Sequence, residues 1–200
     1  MAALIVLIVI VVVLGIIAVL LYNSLVQTRN KVDEAWAQIS VQLKRRHDLI
    51  PPLVSTVKGY ASHEKGTFEA VTEARNAAIN AMGSPQGAKA AGQAEEQLSG
   101  ALKNLFALSE SYPDLKASTN FAQLQDQLVD TENRIAFSRQ YYNDVVRQWN
   151  TKIQSVPTNI FAGMMKAEKA EYFEIEDITA ARMAEALSTE DAAKPPTVEF

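Results

Sequence analysis

Cysteine is absent from the 200 residues, which rules out disulfides, thiol nucleophiles and cysteine metal sites. An excess of basic charge is missing too. Nineteen Lys and Arg face 23 Asp and Glu, a net charge of −4, so nucleic acid is not an expected partner. The chain has no glycine-rich phosphate loop and no G-x-S-x-G nucleophile elbow. No segment keeps the apolar–polar alternation of a strand or carries a hairpin signal. Charge is wholly lacking from residues 1–21, "MAALIVLIVIVVVLGIIAVLL".

That first stretch is the most decisive feature present. About 20 apolar residues at 1.5 Å each span roughly 30 Å, the hydrocarbon thickness of a bilayer. Tyr22 follows at the depth of an aromatic belt. A cleaved signal peptide would need a basic leader, a shorter apolar run and a small-residue cleavage site, none of which is there. The expectation is an uncleaved, single-pass membrane anchor, with the lipid bilayer as first partner. Arg29 and Lys31 follow the span closely, so the positive-inside rule leans toward a cytoplasmic bulk domain and leaves the periplasmic side open.

Downstream, apolar positions recur at alternating steps of four and three. One seam runs Leu25, Arg29, Val32, Trp36, Ile39, Leu43, Arg46, Ile50, Leu53, Val57, Tyr60; a second runs from Phe121 through Leu128, Ile135, Tyr142 and Trp149 to Val156. Steps near 3.5 predict helices packed side by side, as in a bundle or coiled coil. Between them lie two shorter helical patterns, Phe68–Ile79 and about Ala88–Glu110, separated by the turn "GSPQG". Asn120 is the expected N-cap of the second long helix, and Pro157 its end. The predicted fold is all-α: an antiparallel helical bundle of long helices preceded by one N-terminal transmembrane helix. The boundaries are 1–21 for the anchor, 22–157 for the bundle, 158–187 for an acidic C-terminal segment and 188–200 for an extended tail.

Pro51 and Pro52 interrupt the first seam, although a proline inside a helix costs about 3 kcal/mol. The seam keeps its phase across them, which places both prolines on the outward face. The expectation is a kink rather than a break, with the carbonyls of His47 and Asp48 released to water. A new helix starting at Pro51 is the competing outcome.

The residues "YNSLVQTRNKVDEAWAQISVQLKRRHDLIPPLVSTVKGYASHE" (22–64) and "YPDLKA" (112–117), with Glu132, Arg139, Tyr142 and Asn143, resemble the LemA family. The resemblance implies a bacterial membrane protein with one N-terminal span and an α-helical bundle. The family includes a magnetosome-formation protein, which implies a link with membrane shaping, and no enzyme activity is established for it. Pro52 departs from the family pattern, where a polar residue such as asparagine is expected.

Catalytic constellations are lacking. His63-Glu64 opens like a zinc-protease motif, but Thr67 stands where the second histidine is required. His47 and Asp48 with His63 and Glu64 make no metal-ligand spacing, so no enzyme, cofactor or metal is expected. A polar constellation is more informative. Arg46 lies on the first seam while Glu132 and Arg139 border the second, and a charge on a packing seam is costly unless paired. Arg46, Asp48, Glu132 and Arg139 are therefore read as a structural network that sets helix register, with binding to a neighbouring subunit as the alternative. Tyr141, off the seam, is the candidate contact residue.

These features point to a membrane-anchored scaffold that self-associates as a homo-oligomer. The second reading is a regulatory adaptor that offers its acidic C-terminal segment to a membrane protease or transporter. The terminal "TVEF" could also add a strand to a PDZ domain, although chain ends are more commonly frayed.

Overall fold

The structure, a computed structural model, describes residues 1–83 and 87–174. Among these the chain is all-α: α1 (Ala2–Tyr60), α2 (Lys65–Met82), α3 (Gly87–Ala107), a 3₁₀ turn (Leu108–Glu110), α4 (Pro113–Lys116), α5 (Thr119–Gln154) and α6 (Thr158–Met164). The N-terminal third of α1 stands clear of everything else. It carries an 18-residue window of mean hydropathy 3.8, none of it buried, long and apolar enough to cross a membrane. The same helix then runs on, uninterrupted, as the spine of the bundle.

α1 and α5 form the longest packed pair, running antiparallel. Arg46 meets Glu132, Trp36 meets Tyr142, and Thr28 meets Lys152, so each step outward along α1 is a step back along α5. α2 and α3 form a hairpin against the distal half of this pair. The seam of α1 is buried at Leu25, Ile39, Leu43, Arg46, Ile50, Leu53 and Val57. At its ends the buried face shifts by one residue: Thr28 is buried where Arg29 was expected, and Ala61 where Tyr60 was. An unsupercoiled helix drifts about 20° per heptad from a strict 3.5 repeat, which moves the buried stripe at its extremities.

Pro51 and Pro52 are exposed and lie inside α1, which continues through them without a break. The carbonyl of His47, which Pro51 leaves without its helical donor, is not given to water as expected. Arg75 of α2 donates its Nε–H to it at 2.8 Å. The start of α5 also differs: Ser118, not Asn120, is the N-cap, its Oγ accepting from the Phe121 backbone N–H at 3.5 Å.

α5 ends at Gln154, and a cis Val156–Pro157 peptide turns the chain into α6. From Ala167 the chain is an extended strap that climbs back along α5. It is fastened by side chains of α5 to strap backbone. Trp149 Nε1 donates to the Glu168 carbonyl at 2.9 Å, and Tyr142 OH to the Glu171 carbonyl at 2.9 Å. Two asparagines seven residues apart each grip one strap residue by both its backbone groups: Asn150 takes Ala170, and Asn143 takes Phe173. Seven helical residues and three extended residues both cover about 10 Å, so the two intervals match.

Phe173 is fully buried beneath this strap and stacks edge-on against Trp36 at 5.8 Å. Gly92 of α3 makes room for the strap, since a Cβ there would collide with the Glu174 backbone. The first part of the segment expected as 158–187 is thus a helix and a docked strap. Its remainder, 175–187, and the tail 188–200 with "TVEF" lie outside the described residues, as do 84–86 of the expected turn.

Candidate functional site

The bundle interior is divided. One apolar cluster gathers Ile50, Leu53 and Val57 of α1 with Leu98, Leu102 and Leu105 of α3 and Leu128 of α5. A second gathers Ala35, Ile39 and Leu43 with Ala91, Ile135, Tyr142 and Phe173. Between them, at the level of Arg46, lies a buried polar layer.

Arg46 is 2% exposed and Glu95 of α3 fully buried. Arg46 Nη1 donates to Glu95 Oε2 at 3.0 Å, while Nη2 reaches Ser99 Oγ at 2.7 Å and Glu132 Oε1 of α5 at 2.8 Å. His47 Nε2 donates to the other Glu95 oxygen, Oε1, at 2.6 Å. One carboxylate therefore receives two adjacent residues of α1, and one guanidinium joins three helices. Charged groups this deep persist because each is matched by a partner and its further hydrogen bonds. Such a layer tolerates only the register in which donors and acceptors coincide. Arg46 Nε and Gln42 Oε1, one turn apart on α1, are buried without a partner among the described residues. A groove of 350 Å³ between α3 and α5 opens beside this layer, lined by Arg46, Ser99, Leu102, Phe106, Leu128 and Glu132.

Of the residues singled out from sequence, Arg46 and Glu132 come together here. Asp48 does not: it faces outward and pairs with Lys44 at 3.3 Å, both side chains largely exposed. As the residue two after Arg46, it points away from the buried face. Arg139 lies two turns along α5 from Glu132, half-buried, on the wall of a separate 560 Å³ groove with Phe137, Asn143, Asp144, Phe173 and Glu174. Tyr141 is exposed beside the buried Tyr142. His47, Asp48, His63 and Glu64 have separate surroundings: His47 binds Glu95, Asp48 binds Lys44, Glu64 accepts from Tyr112 OH at 2.9 Å, and His63 is exposed.

The sequence reading missed Glu95 and the inward face of His47. The signal for Glu95 was present. Ala88, Ala91, Glu95, Leu98, Leu102 and Leu105 step by three and four, and all six are buried. Ala94, the apolar neighbour of Glu95, is only half-buried.

Away from this layer, Tyr142 and Lys152 are among the groups with shifted titration. Burial, then the charges of Glu171 and Asp33, push the Tyr142 hydroxyl up to about 12. Lys152 Nζ donates to the Ser24 carbonyl at 3.0 Å and Thr28 Oγ1 at 2.8 Å. Burial, then nearby Lys31, lowers its pKa. This contact joins the end of α5 to α1 just beyond the apolar third.

Known proteins are similar to this chain in sequence. Magnetosome protein MamQ 1 of Paramagnetospirillum magneticum is 27% identical over 186 residues, covering 81% of this chain and 68% of that protein. Protein LemA of Metamycoplasma hominis is 26% identical over 156 residues, covering 78% and 70%. Magnetosome protein MamQ of Magnetospirillum gryphiswaldense is 25% identical over 174 residues, covering 76% and 64%. The family model described as the LemA family matches residues 35–200, from the middle of α1 through the strap and beyond, and on that match the chain belongs to the LemA family.

Proposed function

We propose that this protein is a non-enzymatic scaffold, anchored by residues 2–21 in the bacterial inner membrane with its bundle on the cytoplasmic side. There it self-associates and contributes to membrane shaping or envelope organisation. The observation that carries this reading is the continuity of α1: one helix of 59 residues is both apolar anchor and bundle spine, with no hinge or linker between. Copies held this way share one plane and one orientation, which favours lateral contact over random collision.

The outward face of α5 supplies a surface for that contact. Phe137 is 74% exposed and Tyr141, one turn on, 45%. Exposed aromatics on a rigid element are characteristic of contact sites between proteins. The relatives named as magnetosome proteins support a membrane-associated role. The adaptor reading draws less support, because strap backbone from Glu168 to Phe173 is already committed to α5.

Particle size in mild detergent tests the proposal. The full chain is expected to run as a uniform assembly several copies in size, and Phe137→Asp with Tyr141→Asp to reduce it to monomer. A wild-type monomer that instead captures another membrane protein through residues 166–200 would replace the scaffold with the adaptor.

A further inference from the structure

The antiparallel register has a geometric consequence at the membrane-proximal end. Trp36 is level with Tyr142, so fourteen residues further toward the membrane Tyr22 is level with Val156. The turn from α5 into α6 therefore sits where the apolar run of α1 ends. α6 stays at this level, since its Ala162 is buried in one cluster with Leu25, Trp149 and Ile153. Leu25 is four residues past Leu21, about 6 Å along the axis. That distance falls within the headgroup layer, roughly 5–7 Å thick on each side of the hydrocarbon.

The other face of this corner is apolar and uncovered among the described residues. Val156 is 81% exposed, Ile160 61% and Met164 78%, the last two one turn apart on α6. In water such a cluster is unfavourable; in a headgroup layer it is buried at about 25 cal/mol per Å². Arg29 and Lys31, about 12 and 15 Å past Leu21 along α1, put positive charge on the water side of this level, complementary to lipid phosphates.

We propose that α6 is a second membrane contact, in which Val156, Ile160 and Met164 rest in the headgroup layer of the same bilayer that α1 crosses. This inference rests on the reading of residues 2–21 as a span. A helix crossing the membrane and a short one lying on it hold the bundle at two points, which fixes its rotation about the α1 axis as well as its height.

The chain has no cysteine, so single spin labels are readily placed in the full-length protein, reconstituted in phosphatidylcholine–phosphatidylglycerol vesicles. Labels at Ile160→Cys and Met164→Cys are expected to lose collisions with a water-soluble nickel chelate and to keep collisions with lipid-soluble oxygen. Gln123→Cys, at the distal end, gives the aqueous reference and Leu14→Cys the hydrocarbon reference. Labels at 160 and 164 that match 123 while 14 reads hydrocarbon overturn the proposal and leave the span intact. Protection from both reagents means a second copy covers the face, which also overturns it. A label at 14 that reads water removes the span, and this inference with it. Both replaced side chains are exposed, and unchanged melting of the unlabelled variants verifies the fold.

Discussion

Arg75 Nε donates to the carbonyl of His47 at 2.8 Å, the one acceptor in α1 that Pro51 deprives of its helical partner. The double proline thus does more than interrupt a ladder. It exposes a backbone acceptor on the main helix, and α2 docks on it through a charged donor. A hydrogen bond to a charged group contributes about 1.5–3 kcal/mol, and the same order is lost when a buried acceptor is left unmade.

Arg75→Ala is therefore expected to destabilise the bundle by about 1–3 kcal/mol, measured by chemical denaturation in detergent. Pro51→Ala restores an N–H to the His47 carbonyl. In that background Arg75→Ala is expected to cost less, so the double-mutant cycle shows positive coupling. Strict additivity would mean that Arg75 acts through some other contact.

Removing Glu95 leaves Arg46 buried beside an empty site, which is expected to cost about 3–5 kcal/mol for Glu95→Ala. Arg46→Glu places a new carboxylate against both Glu95 and Glu132, and is expected to be at least as damaging. Adding Glu132→Arg does not rescue it, because the fully buried Glu95 still opposes the new charge. Recovery of wild-type melting in that charge swap would show that Glu132, not Glu95, is the principal partner.

Alkaline pH isolates the strap. In the folded chain the Tyr142 hydroxyl titrates at about 12, raised from 10.0. The group's contribution to stability is thus fully present below pH 10 and lost as pH rises toward 12. The wild type is expected to lose stability over that window more steeply than Tyr142→Phe, which has no hydroxyl to ionise. Parallel pH profiles would show that the hydroxyl's surroundings are the same folded and unfolded.

The bundle was legible in the sequence because its packing is periodic. From Ile39 to Val57 every residue of the α1 pattern is buried, and so are Phe121, Leu128, Ile135, Tyr142 and Trp149 of the α5 pattern. Glu95 was legible in phase yet overlooked in kind, since a charged residue on an alanine-rich helix reads as solvent-facing unless the step count is trusted over composition. The strap was not legible. Asn143, Asn150, Tyr142 and Trp149 hold its backbone, and backbone groups are the same at every residue. Gly92, whose missing Cβ admits the Glu174 carbonyl, leaves a trace of its path, but a glycine in an alanine-rich helix is easily taken for indifference.

The unbroken run of α1 from Tyr22 to Tyr60 extends about 57 Å at 1.5 Å per residue. In the anchored arrangement proposed above, it makes the domain a lever whose fulcrum is the lipid. An inclination of about 20°, ordinary for a spanning helix, sweeps the far tip sideways by roughly 20 Å. Small changes in bilayer thickness are thereby magnified into large excursions at the end farthest from it.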